Sequence, residues 1–176
     1  MADEESRREA RYGVYRAVVT DNDDPESRGR VKVRHGEEEA WAELATLMAG
    51  DGYGTWFQPQ PDDEVLVAFE AGDARQPYVV GALWGKGDRP PETDENVKTI
   101  RTSCGATITI DDARCEVRID APTGIRLSAG TQVETTASKV VVNSGMAEFA
   151  GVVRCTTLIA DSVVASSYTP GAGNVM

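Results

Sequence analysis

Residues 106–128 read ATITIDDARCEVRIDAPTGIRLS, and their pattern decides the fold class. Ile108 and Ile110, Val117 and Ile119, then Ile125 and Leu127 fall on alternate positions, with Thr, Arg and Asp between them. A period of two is the period of a strand, so each apolar pair shares one face. DDARC and APTG supply the turns between the strands. The pattern continues outward on the C-terminal side. From Ile108 the segments restart near Val117, Ile125, Val133 and Val140, seven to nine residues apart. KVVVN (139–143) puts Val140 and Val142 on the apolar side, and GVVRCTTLIADSVV (151–164) also reads as strand-like alternation.

A repeat of this length is one strand plus one turn. One such chain presents an apolar strip with nothing to bury it. The segments are too short and too thinly apolar for a two-layer sandwich. Three copies wound around one axis would turn every apolar face inward. Residues 98–165 are therefore expected to form an intertwined trimeric β-helix, a rigid needle. An ordinary antiparallel sheet packed on the first half of the chain is the alternative.

The first half reads differently. Strands are predicted at GVYRAVVTDN (13–22), GRVKVRHG (29–36), AWAELATLMAG (40–50), DEVLVAFE (63–70) and QPYVVGALWG (76–85). The third has helical length, but Trp41, Glu43 and Ala45 alternate with small or apolar residues. Five short antiparallel strands close most economically into a small barrel, which leaves few open edges. The loop GDGYGTWFQPQPDD (50–63) carries Tyr53, Trp56 and Phe57. These aromatics either form a contact site or plug the end of the barrel. RPPETDEN (89–96) is a stiff polar linker.

Charge separates the same two halves. Residues 1–97 hold 11 Lys/Arg against 22 Asp/Glu, whereas residues 98–176 hold 7 of each. An acidic first half opposes nucleic acid as a partner, because phosphate binding needs a basic face. No apolar run reaches the ~18 residues of a membrane span. The charged start MADEESRREA does not read as a signal peptide, so synthesis in the cytoplasm is expected. Cys104, Cys115 and Cys155 form no CxxC, and His35 is the only histidine, so reduced, half-buried thiols are expected rather than a zinc site. No GxSxG, HExxH or P-loop is present, and acidic pairs such as Asp62 with Asp63 lie in turns, so no catalytic residue, cofactor or metal is expected.

Three stretches carry a resemblance. They are DNxDPExxGRVKV (21–33), MAGxGxGTWFxPxxxDEVLVAFExGDxRxPYVxGxLW (48–84) and RTxxGxxIxxDD (101–112). Together they resemble the phage baseplate assembly protein V and VgrG spike family, most closely over residues 13–112. The later repeats and the SYTPGAGN stretch also resemble spikes of extracellular contractile injection systems. The resemblance implies an all-β homotrimer with an N-terminal OB-fold and a triple-stranded β-helix needle. It implies a structural role at the centre of a baseplate, below a trimeric hub and above a PAAR-repeat tip, in a particle that drives the spike through a target membrane. The divisions expected are an arm at 1–12, an OB-fold at 13–88, a linker at 89–97, the needle at 98–165 and an apex at 166–176. Some relatives insert a lysozyme domain where only the linker stands here. Some bind iron through an apical HxH that this chain lacks.

The apex reads SSYTPGAGNVM and carries no charged side chain. A blunt needle end needs a flat, uncharged seat for a cap. Gly171, Ala172 and Gly173 would let backbones approach closely. Tyr168, Val175 and Met176 would add apolar area, Pro170 would stiffen the turn, and Asn174 completes the segment. A disordered tail is the alternative. The rival for the whole chain is an OB module that binds nucleic acid or carbohydrate and carries a trimerisation stalk.

Overall fold

The computed structural model describes residues 11–167, which fall into two compact units, one ending at Arg126 and the other beginning at Leu127. The first unit opens with β1 (Val14–Asp21), β2 (Val31–His35) and β3 (Glu38–Leu44). A small hairpin follows, β4 (Ala49–Gly50) and β5 (Tyr53–Gly54), then β6 (Glu64–Phe69) and β7 (Pro77–Leu83). Strands β1, β2, β3, β7 and β6 form a closed barrel in that order.

Alternation accounts for the barrel's inside. Ala17, Val19, Val31, Val33, Ala42, Val65, Val67 and Val79 are buried, each two residues from another or alone on its strand. A five-stranded barrel has a narrow interior, and β-branched side chains fill it from a pleated surface. Tyr15, Leu44 and Phe69 pack against this cluster from its margin. The Tyr15 ring stands 5.1 Å from His35 and 5.5 Å from Phe69, so these three rings cover the core beside β1.

The barrel is not wholly antiparallel as expected. β3 and β7 pair in parallel, with Glu43 opposite Tyr78 and Leu44 opposite Val79. The reason is arithmetic. A closed ring with an odd number of strands cannot alternate direction throughout, so one pair must run parallel. β3 also ends at Leu44, well short of residue 50. Thr46 turns its hydroxyl to the Thr55 carbonyl, which takes the chain out of the sheet and into the hairpin. A bulge at Val80 shifts the β6–β7 register and bends the sheet towards closure.

The first unit also holds a three-stranded antiparallel sheet, β8 (Val97–Arg101), β9 (Thr107–Asp111) and β10 (Glu116–Asp120), with β9 in the middle. The second unit contains no strand among its described residues. It is extended chain interrupted by bends, and the expected continuous alternation over 151–164 is broken at Gly151, Thr156 and Asp161. Extended segments inside one chain find no ladder partner there, so their backbone groups are left for something else to pair.

Candidate interaction surfaces

The turn between β1 and β2 is organised by one carboxylate. Asp24 is the only buried polar residue among those described, at 8% exposure. Its oxygens accept from the backbone amides of Glu26, Arg28 and Arg30 and from Nε and Nη2 of Arg30, all between 2.8 and 3.2 Å. The Arg30 guanidinium, helped by those amides and opposed by burial, holds the Asp24 carboxyl well below the usual carboxylate range. The same pairing pushes Arg30 up. This clasp fixes Gly29 at a φ of +78°. Sequence reasoning recorded the DNxDPExxGR motif but missed the role of Asp24. The signal was an Asp six residues before an Arg across a Pro–Gly turn, and only the fold shows five donors converging.

The clasp positions the aromatic loop. The Trp56 ring lies against Gly29, where a Cβ would stand 2.8 Å from it. Gln58 donates to the Asn22 carbonyl at 2.8 Å, and Asn22 donates to the Pro59 carbonyl at 3.2 Å. Arg28 reaches Glu43 on β3 at 3.0 Å. The loop is thus strapped to the β1–β2 turn through Trp56, Gln58 and Pro59. Its apolar tips are not used internally. Leu47, Met48, Tyr53, Trp56 and Phe57 are all exposed, Leu47 at 93%. The aromatics therefore do not plug the barrel. A hollow of about 330 Å³ is lined by Leu44, Leu47, Phe57 and Val80 among others. Leu47, Met48 and Val80 were not singled out from the sequence, because each falls in a segment that reads as strand core.

The β8–β10 sheet brings together several of the expected needle residues. Ile100, Ile108 and Ile119 form one row across the three strands, and Ile110 faces Val117 beside it. The register is the one that alternation demands. Ile100, Ile108, Ile110 and Ile119 are 43–51% exposed and Val117 is 66% exposed, so one whole apolar face is uncovered. The other face carries Thr99, Thr109 and Arg118 in a row. Ile125, Leu127, Val140 and Val142 are exposed in extended chain and meet none of these residues in a shared strand. Tyr168, Pro170, Gly171, Ala172, Gly173, Asn174, Val175 and Met176 lie outside the described residues, as do residues 1–10 of the arm. Arg11 is described, and ties the start of the barrel to Glu38 at 2.7 Å.

All three cysteines are free and exposed, not half-buried as the sequence suggests. Cys104 and Cys115 sit in turns beside β9 and β10, and Cys155 in extended chain, where no second layer covers them. Among the described residues no cluster of three or more His, Cys, Asp or Glu side chains is arranged to hold a metal, and no helix is long and apolar enough to cross a membrane.

A closed five-stranded barrel with one parallel pair defines an OB-like protein, and the same chain carries an exposed aromatic loop and an uncovered apolar sheet. Residues 15–84 match the family described as Type VI secretion system/phage-baseplate injector OB domain. That family is a structural component of baseplates and injectors, in keeping with the sequence resemblance. No curated protein matches the chain.

Proposed function

We propose that this chain is the central, membrane-puncturing spike of a contractile injection machine and works as a homotrimer. The observation that carries the reading is the uncovered isoleucine face of the β8–β10 sheet. Covering a half-exposed Ile gains about 1 kcal/mol. Five such side chains per copy therefore favour association strongly once three copies meet. Residues 98–165 form the triple-stranded needle, with Ile108, Ile110, Val117, Ile119, Ile125, Leu127, Val140 and Val142 turned to the shared axis. Backbone groups that lack partners in the extended second unit then pair between copies.

The barrel sits at the hub end. The exposed loop with Tyr53, Trp56 and Phe57 supports a docking role, since aromatic side chains are favoured in interface cores. Residues 166–176 seat a PAAR-repeat tip, and residues 1–12 reach towards the hub. The work is mechanical, and no bond is broken. The acidic barrel half argues against a nucleic-acid-binding module with a stalk.

Light scattering on the purified chain tests this reading. A mass about three times 18.9 kDa is expected. A stable, folded monomer would overturn it.

A further inference from the structure

The second unit bends at two different intervals. Bends fall at Gly130–Thr131, Ser138 and Gly145, seven to eight residues apart. They then fall at Ala150–Gly151, Thr156, Asp161 and Ser166, five residues apart counted from Gly151. The change is abrupt, and the sequence follows it. In the five-residue part, the positions before Gly151, Thr156, Asp161 and Ser166 are small: Ala150, Cys155, Ala160 and Ala165. The second position after each bend is apolar: Val153, Leu158 and Val163. The two charged residues of this stretch, Arg154 and Asp161, stand in other columns.

Side-chain direction agrees with the interval. In a continuous strand, residues five apart point to opposite faces. Yet Leu158, Ala160, Val163 and Ala165 together line one concavity of about 460 Å³. A bend between each pair is what restores the face. The column on the concave side is also the more sheltered one. Val153, Leu158 and Val163 are 60–72% exposed, whereas Ile159 and Val164 on the other side are 93% and 98% exposed.

We infer that residues 150–167 form a second, narrower needle section with five residues per layer, whose Val153–Leu158–Val163 and Cys155–Ala160–Ala165 columns pack against the same columns of two further copies of this chain. The inference rests on the trimeric reading above. The partner is a copy because a ladder repeating every five residues, uncharged on its concave side, is matched at every rung only by a surface of the same period. An extended chain rises about 3.3 Å per residue, so a layer of eight spans about 26 Å and a layer of five about 17 Å. The perimeter each copy contributes falls by about a third between Gly145 and Gly151. Small residues at Ala160 and Ala165 suit the closer approach that a narrower section demands.

Period-matched deletions test this on the full-length chain. Deleting 156–160 joins Cys155 to Asp161 and keeps every column in place. Deleting 156–163 joins Cys155 to Val164 and puts them out of step. Hydrogen exchange of the residues distal to the deletion is the readout. The five-residue deletion should leave protection within about twofold of wild type, and the eight-residue deletion should lower it about tenfold or more. Equal protection, or the reverse order, would overturn the inference. A second measurement uses single cysteines in a background with Cys104, Cys115 and Cys155 replaced by Ser. Ala160→Cys should cross-link between copies on oxidation and Ile159→Cys should not, because a disulfide needs Cβ atoms about 4 Å apart. Preferential cross-linking at Ile159→Cys would place the wrong column on the axis. Light scattering in the same preparations separates the outcomes, since a wild-type monomer sinks the trimer itself, while a trimer that ignores the deletions sinks only the five-residue section.

Discussion

Gly29 lies beneath the ring of Trp56, so close that a Cβ on Gly29 would stand 2.8 Å from the indole Cζ3 and 2.9 Å from Cη2. The contact couples the β1–β2 turn to the loop proposed to meet the hub. Gly29 also sits at a φ of +78°, where a side chain adds strain.

Gly29→Ala should therefore be costlier than an ordinary left-handed glycine replacement. Strain alone is about 1 kcal/mol, and displacing the ring adds about 1 kcal/mol more. Gly36 is the control, since its φ is +66° and nothing lies within 4 Å of its added Cβ. Denaturant midpoints should fall about twice as far for Gly29→Ala as for Gly36→Ala. Trp56 emission, read with Trp41 and Trp84 replaced by Phe, should shift only in the first. Equal midpoints and unchanged emission would mean that the ring yields freely and does not couple the two elements.

The Asp24 clasp has a pH signature. Its carboxyl is held below the ordinary range in the folded chain, chiefly by Arg30. Its stabilising contribution is therefore complete at neutral pH, above the unfolded value of about 4. It declines as pH falls below that value towards the lowered folded one. The stability difference between wild type and Asp24→Asn should be constant from neutral pH down to about 5 and shrink below about 4. Urea midpoints across that range measure it. Asp23→Asn, an exposed neighbour, should show a much smaller difference at every pH. A gap for Asp24→Asn that widens on acidification would show that the carboxylate is not what holds the turn.

The needle register is tested by neighbouring side chains. Ile119 faces Ile108 on the open apolar side of the sheet, and Arg118 lies on the opposite face, 3.2 Å from Glu116. Under the trimeric reading, Ile119→Asp puts three carboxylates near one axis, where an unpaired buried charge costs several kcal/mol per ion. Arg118→Asp stays in water and should cost less than about 1 kcal/mol. Thermal unfolding of the two variants should differ by well over ten degrees. Equal melting would show that the isoleucine face is not buried in the assembly.

These features were not equally legible beforehand. Val31 with Val33 and Val65 with Val67 announce buried strands by alternation alone, and Ile108, Ile110, Val117 and Ile119 announce the β9–β10 register. The parallel β3–β7 pair follows from closing five strands, a fact about the ring rather than any residue. The Asp24 clasp depends on five donors from three residues meeting in space, which no spacing rule records. The five-residue interval was hidden because Val152, Val153, Leu158, Ile159, Val163 and Val164 blend into one apolar run. Its bends fall at Ala150–Gly151, Thr156, Asp161 and Ser166, too closely spaced within apolar segments to read as the multi-residue turn clusters of the earlier repeats. Leu47 and Met48 look like strand core until Thr46 is seen to turn the chain away from the sheet.

Residues 166–176 carry the last expectation. The segment has no charged side chain, and it follows a section whose columns are small and apolar up to Ala165. If it seats a tip, truncation after Ala165 should leave a folded trimer, because the isoleucine face and most of the five-residue section remain. The truncated trimer should no longer co-purify with a PAAR-repeat partner. Val175→Asp should weaken co-purification as well, though less, since a cap would bury three like charges around the axis, and the nearest basic residue in sequence is Arg154. Light scattering on the truncated protein guards against a trivial loss of binding through unfolding. A truncated trimer that still brings down its cap in full yield would show that the tip is held elsewhere, and residues 166–176 would lose their proposed role.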